Sequence, residues 1–360
     1  MTDKYLMSGH KLLWHLDRVA AWQAGERIAP LHIDVGLSKG CNIRCHYCFG
    51  ALQGNLYRKG SEVFFPRAPL LAYMRDAGRA GVRSMALIGE SEPTLNPHLY
   101  EAVVEGKRAG VDMAVGTNGV LWDTGAAGDA ALEHLTWLRF NLSAASDESY
   151  RRLHGSREFA AVLNAVRHVV GTKRRRGLPV TVGLQMVLTP LNVGEVVPLA
   201  RLGAELGVDY LVVKQCSDTV ENALGIFRRF GEYTDYTETL RAAEALSAPG
   251  YDVIVKWRPI EDKGVRSYTT CLGAPFLLYS SGDGRLYPCG MFFEQREEEF
   301  RMGDLTRQSF TEILASERYW EVVEKVRRID VSGCYANCKT HSINEFLWQL
   351  THPPEHVNFI

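Results

Sequence analysis

HIDVGLSKGCNIRCHYC, residues 32–48, is a short apolar strand that runs directly into three cysteines, Cys41, Cys45 and Cys48. A strand closed by glycine and followed by a loop reads as the first half of a βα unit. The same unit recurs outward along the chain. Apolar runs starting at Ser84 (SMALIG), Asp112 (DMAVG), Thr136 (TWLRFNL), Val180 (VTVGLQMVL) and Asp209 (DYLVVK) alternate with stretches such as PHLYEAVVEGKRAG and NVGEVVPLARLGAELG. The apolar residues of those stretches return every three to four positions, and each ends in glycine, as amphipathic helices do. Six βα units between about residues 32 and 215 predict a parallel α/β sheet, with functional groups on the loops after the strands' C-terminal ends.

Composition sets the outer limits. With 360 residues, 46% of them hydrophobic, and a formal net charge of -1, the chain can bury a sizeable core. Near-neutral charge argues against electrostatic binding of nucleic acid or a membrane surface. The first residues, MTDKYLMSGHKLLWHLDRVAAW, scatter charges among apolar positions, unlike a secretory signal or a membrane span. A cytoplasmic protein with no nucleic-acid or membrane partner is expected. The run Lys173 to Arg176 reads as a solvated helix end.

Past about residue 218 the alternation stops. A helical stretch, an isolated strand (YDVIVKW), the hairpin FLLYSSGDGRLYPCG and a helix-rich end come next, with Gly284 allowing the hairpin's tight turn. The expected division is a helical N-terminal extension (1–30), the βα region (31–250) and a small α+β domain (251–360).

Eight cysteines in a reducing compartment point to metal rather than disulfides. Three stand in CNIRCHYC, four in the last quarter (Cys271, Cys289, Cys334, Cys338), and Cys216 stands apart. Two metal sites and a spare thiol fit that division. Structural zinc takes four closed ligands, whereas three thiolates on a cubane 4Fe-4S cluster leave one iron open. Spacing alone admits either metal, and the four later thiols suit zinc as well as iron-sulfur.

The first loop, with aromatic Tyr47 immediately before its last cysteine, resembles the signature of the radical S-adenosylmethionine (SAM) superfamily. The resemblance implies a partial (β/α)6 TIM-like barrel, with a catalytic 4Fe-4S cluster whose open iron chelates SAM and a 5'-deoxyadenosyl radical released on its reductive cleavage. IGESEPTLNP, with Gly89, Glu90, Ser91 and Glu92, is similar to the family's segment that holds the SAM amine. Ser91 stands where a second glycine is usual, and Glu92 is preferred over Glu90 as the working acid. Thr117 and Asn118 of GTNG, Asn141 and Ser143 of FNLSAA, and Gln185 fall where family members contact SAM or substrate. Arg152, or its neighbour Arg151, is a candidate for the SAM carboxylate.

The later cysteines resemble the SPASM and Twitch modules of the same superfamily. Four thiols match the Twitch form with one fully ligated auxiliary 4Fe-4S cluster, serving as electron conduit or structural brace. Cys216 reads as a hydrogen-atom donor to a substrate radical or as a small buried hydrophobe. Lys214, Gln215, Ser217 and Asp218 read as substrate contacts, and Lys256 and Arg258 as partners for a carboxylate or phosphate. The layout is similar to Twitch enzymes of aminoglycoside and nucleoside antibiotic pathways. It implies a small polar carbohydrate-, aminocyclitol- or nucleoside-like substrate, its dehydrogenation, epimerisation or decarboxylation, and an external one-electron reductant such as flavodoxin or ferredoxin. The alternatives are a peptide-modifying SPASM enzyme and a zinc-stabilised scaffold.

Overall fold

The computed structural model describes residues 9–53, 62–216, 218, 224–226, 230–335 and 337–359. All six expected strands form: β1 (His32–Val35), β2 (Ser84–Leu87), β3 (Asp112–Thr117), β4 (Leu135–Asn141), β5 (Thr181–Leu188) and β6 (Tyr210–Gln215). They pair parallel in that order. Parallel strands are covered on both faces, so they read as continuous apolar runs. β5 fits this pattern, every residue except Val187 being buried.

The helices between them are set by their ends. α1 (Arg67–Ala80), the first crossover helix, stops at Gly81, whose φ of 89° is left-handed. Two helices, not one, succeed β4. α2 (Asp147–His154) opens with a capping box between Ser146 and Ser149 and closes at left-handed Gly155, and α3 (Phe159–Arg176) then runs the length of the crossover. The short extra helix sits at the mouth of the sheet, against the loop that carries the first three cysteines.

The strand YDVIVKW is not isolated. β7 (Asp252–Val255) pairs parallel with β6. At the opposite edge, β8 (Leu277–Ser280) pairs parallel with β1, and antiparallel β9 (Arg285–Tyr287) and β10 (Gly303–Asp304) extend the sheet beyond it. One ten-stranded sheet therefore runs β10-β9-β8-β1-β2-β3-β4-β5-β6-β7. Partners so far apart in the chain leave no local trace in sequence, which is why the pairing of β7 and β8 is not legible there. Residues 1–8 of the expected N-terminal extension, and Ser217, lie outside the described residues. No helix among the described residues is long and apolar enough to cross a membrane.

Gly284 turns the β8–β9 hairpin at φ 88°, and a Cβ there would meet Thr306 Cγ2 at 2.8 Å. Gly284→Ala is expected to cost about 1–3 kcal/mol through left-handed strain and crowding. A lowered Tm in thermal unfolding checks it.

Candidate active site

The loop from Cys41 to Cys48 has almost no regular structure of its own. It is held by the C-terminal turn of α2, whose last carbonyls have no helical partner. Leu153 O accepts His46 N (3.3 Å), and His154 O accepts Arg44 N (3.1 Å). At the other end of the loop, Asn118 Nδ2 donates to Asn42 Oδ1 (2.7 Å) and approaches Cys41 Sγ at 3.8 Å. His154 lies inside this frame, its ring 1% exposed and stacked on Tyr150 with centroids 4.3 Å apart. Its Nδ1 is 3.3 Å from Cys45 Sγ and its Nε2 is 3.0 Å from Ser143 N. Burial, with repulsion from His46 added, pushes the imidazole down to about 3.

The acidic loop after β2 crosses β1 and the C-terminal hairpin at van der Waals range. Gly89, at φ 47°, sits where a Cβ would meet Gly36 Cα at 2.4 Å. Glu90 Oε1 accepts from Ser281 Oγ (2.6 Å) and Gly282 N (3.0 Å). Glu92 is engaged throughout. Its Oε1 accepts from Thr94 N, Thr94 Oγ1 and Thr117 Oγ1, and its Oε2 accepts from Asn118 N. Burial pushes both carboxyls above the ordinary range, and these donors pull them back toward ionisation. Ser91 Oγ donates to Ser38 O.

A cavity of about 280 Å³ opens where these loops meet. Cys41, Cys45, Tyr47, Cys48, Gly89, Glu90, Ser91, Glu92, Asn118, Asn141 and Gln185 all border it. Asn141 and Gln185 face each other across β4 and β5, with Gln185 Nε2 donating to Asn141 Oδ1 (2.8 Å). Sequence reasoning missed other polar residues of the lining, among them Asp34, Arg139, His154, Tyr335, Asn337 and Lys339. Asp34 bonds Lys339 and, at 3.1 Å, His32. Burial alone would raise its carboxyl, but Lys339 and His32 outweigh burial and hold it at about 2. Lys214 also faces the cavity. Burial, reinforced by Arg139, Lys256 and Lys339, pushes its ammonium well below the ordinary value.

Thr117, Ser143, Arg152 and Cys216 do not border the cavity, and neither do Gln215, Asp218, Lys256 and Arg258. Thr117 is buried with its hydroxyl committed to Glu92. Ser143 Oγ accepts Val187 N (3.0 Å), closing the β4–β5 loop. Arg152 is exposed on α2, because the capping box and the buried Leu153–His154 turn that face outward. Cys216 comes just after the end of β6, where the chain leaves the sheet, and its thiol lies 3.9 Å from the Tyr47 carbonyl behind the cysteine loop. Cys216 is buried and does not border the cavity, in keeping with the small buried hydrophobe of its two readings. Arg258 does not await a ligand either, being paired with Glu345 and Asp262.

The four later thiols are near enough for their charges to act on Cys289. After burial, Cys338, Cys271 and Cys334 are among the causes that push Cys289 up. Asn344 Oδ1 accepts Leu272 N (2.8 Å) and Gly273 N (2.7 Å), which turns its Nδ2 toward Cys271 Sγ at 3.7 Å. Thr340 Oγ1 lies 3.0 Å from Cys338 Sγ. Arg266 donates to the carbonyls of Val331, Cys334 and Tyr335 and so fixes the segment that carries the last two thiols.

Both sets can be tested against the metals they would hold. A zinc tetrahedron with Zn–S bonds of about 2.3 Å brings its sulfurs to about 3.8 Å. Among the described residues, Asp262, His341 and Glu345 form the group whose ligand atoms lie within 4.8 Å of one another, and neither cysteine set closes that far. Three thiols on one loop suit a cubane that keeps one iron open, and four suit one that is fully ligated. Burial, with repulsion from Cys48 and Cys41 added, raises the Cys45 thiol well above a free thiol.

Comparison with known proteins agrees with this geometry. Residues 35–203 match the radical SAM superfamily, and residues 277–340 match the SPASM iron-sulfur cluster-binding domain. A tungsten-containing aldehyde ferredoxin oxidoreductase cofactor-modifying protein of Pyrococcus furiosus is 22% identical over 332 residues, 86% of this chain and 86% of its own. An AdoMet-dependent heme synthase of Methanosarcina barkeri is 23% identical over 321 residues, 84% of this chain and 85% of its own. Among solved structures, SuiB of Streptococcus suis bound to its precursor peptide SuiA superposes with TM-score 0.66 at 14% identity, over 89% of this chain and 72% of that one. AdoMet-bound anSMEcpe superposes with TM-score 0.60 at 16% identity, over 88% of each chain. At these identities the structural likeness is one of fold.

The buried acids lead to two expected outcomes. Asp34 is held below its ordinary 3.8, so the stability it contributes, about 2 kcal/mol, is present above pH 4 and lost as pH falls through about 2. Asp34→Asn should flatten that part of the acid limb in denaturant titrations between pH 2 and 4. Glu92→Gln turns an acceptor into a donor facing other donors, with an expected loss of about 1–3 kcal/mol in urea unfolding.

Proposed function

We propose, for a chain that belongs to the radical SAM enzymes and carries a C-terminal SPASM-type iron-sulfur domain, that its substrate is a small, oxygen-rich anion. A carbohydrate-, aminocyclitol- or nucleoside-like acid or phosphate of natural-product (antibiotic) biosynthesis fits this description. SAM and the catalytic cluster together supply the 5'-deoxyadenosyl radical that abstracts hydrogen. Cys41, Cys45 and Cys48 would hold that cluster. Gly89 to Glu92 and Asn118 would border SAM.

The observation that carries the substrate class is the charge of the cavity. Arg139, Lys214 and Lys339 all face it. Its acids are committed elsewhere: Asp34 to Lys339 and His32, Glu90 to the hairpin, and Glu92 to Thr94, Thr117 and Asn118. A buried ammonium beside other cations is stabilised by an anion. The Asn141–Gln185 pair adds amide groups suited to hydroxyls. The two curated relatives are named for work on a cofactor and on heme, which also supports a small molecule.

Cys271, Cys289, Cys334 and Cys338 would hold the auxiliary cluster, with no iron left for substrate. Cys216 is buried and does not border the cavity, which supports an oxidative outcome, dehydrogenation, over one that needs a thiol donor. An external one-electron reductant such as flavodoxin or ferredoxin would feed the catalytic cluster. The division at about residue 250 is proposed as one of function, since the sheet runs through it.

The test is anaerobic reconstitution and assay of 5'-deoxyadenosine with panels of sugar acids, nucleotides and peptides. About eight irons per chain are expected, four for each cubane, with turnover stimulated by the anionic small molecules. Lys214→Ala should then raise KM for the active anion at least about tenfold, the loss of one charge-assisted contact. Stimulation by peptides alone would overturn the small-molecule reading.

A further inference from the structure

His154 is the buried polar group nearest the cysteine loop that the proposed chemistry has not used. Its ring sees four polar contacts. Nε2 lies 3.0 Å from Ser143 N, Nδ1 lies 3.3 Å from Cys45 Sγ, and Tyr47 Oη stands 3.2 Å from Nε2 and 3.4 Å from Nδ1. A backbone N–H can only donate, so Nε2 must be the acceptor. The ring proton of the neutral imidazole therefore sits on Nδ1. That N–H faces the Cys45 sulfur at normal N–H···S range, while the Tyr47 ring is edge-on at 81° and offers the longer contact.

We propose that His154 is a positioning residue that donates its Nδ1–H to the Cys45 sulfur, fixing that ligand and raising the reduction potential of the cluster held by Cys41, Cys45 and Cys48. The proposal rests on the reading that these three cysteines hold a cluster. Reduction adds negative charge that spreads onto the ligand sulfurs, so a donor aimed at one of them stabilises the reduced state more than the oxidised one. The donor is set by three features. Ser143 N–H fixes the tautomer, Tyr150 fixes the ring plane by stacking at 16°, and Gly155 ends the helix immediately after the residue. A neutral donor is suited to this position. It polarises the sulfur without adding a charge that would have to be buried beside SAM.

The experiment is an EPR-monitored redox titration of the reconstituted enzyme without SAM, tracking the signal that is lost in the Cys41→Ala/Cys45→Ala/Cys48→Ala variant. His154→Phe, which keeps the ring but not the donor, should lower the midpoint potential at full iron content. His154→Asn, whose amide can return a donor near the Nδ1 position, should restore much of the difference. An unchanged potential in iron-replete His154→Phe overturns the proposal. Should that variant lose iron, pulsed EPR on wild type labelled with 15N-histidine decides. A weak nitrogen coupling to the reduced cluster is expected, and its absence overturns the assignment. If the triple-cysteine variant keeps every iron and every signal, it is the cluster reading that fails instead.

Discussion

The two backbone hydrogen bonds from the cysteine loop to the last carbonyls of α2 are the constraint on which the rest of the site depends. The loop that carries the first three thiols has almost no strand or helix to satisfy its backbone, yet its buried N–H groups need acceptors. The free C-terminal carbonyls of a helix are such acceptors, already aligned and with no competing partner. Leu153 and His154 supply them, and Gly155, in the left-handed conformation, lets the chain turn away without covering them. The same helix end delivers the His154 ring to Cys45. One short helix thus sets both the path of the loop and the polarity around its central thiol.

The C-terminal module is part of the cavity rather than an appendage to it. β8 pairs with β1 in register from His32 to Val35, which carries the hairpin to the rim of the sheet. Ser281 and Gly282 then bind Glu90, Gln53 Nε2 donates to Gly290 O, and Asn337 Nδ2 donates to Gln215 O. Phe49, next to Cys48, packs on Tyr335, next to Cys334, with centroids 4.7 Å apart. The two thiol sets therefore flank a common space. The residues that close it, Tyr335, Asn337 and Lys339, come from the segment between and after the last two cysteines.

Sequence could reveal what depends on local period or on spacing. The six strands, the hairpin at Gly284 and the grouping of cysteines into three and four all fall in that class. The resemblance to a family then pointed to loops, and most of their residues do border the cavity. It failed where orientation within an element decides. Arg152 and Leu153 are neighbours on one helix, and only the way α2 docks determines that Leu153 and His154 turn inward while Arg152 faces solvent. His154 carried no signal, because a histidine before a glycine reads as a helix end and nothing local says what that end touches. Lys339 and Asp34 were equally hidden, since their pairing joins opposite ends of the chain.

The distribution of charge around the cavity reflects a conflict that this arrangement resolves. Buried thiols and buried ammonium groups would pair if they met, leaving neither free for a ligand. Here the groups that touch the first thiols are neutral donors, the His154 imidazole at Cys45 and the Asn118 amide at Cys41. The cations stand apart, Arg139 on β4, Lys214 on β6 and Lys339 after the last cysteine. Asp34 tethers only Lys339, and Arg139 and Lys214 are left facing the cavity. Soft sulfur and hard positive charge thus border one cavity, with neutral side chains in contact with the sulfur.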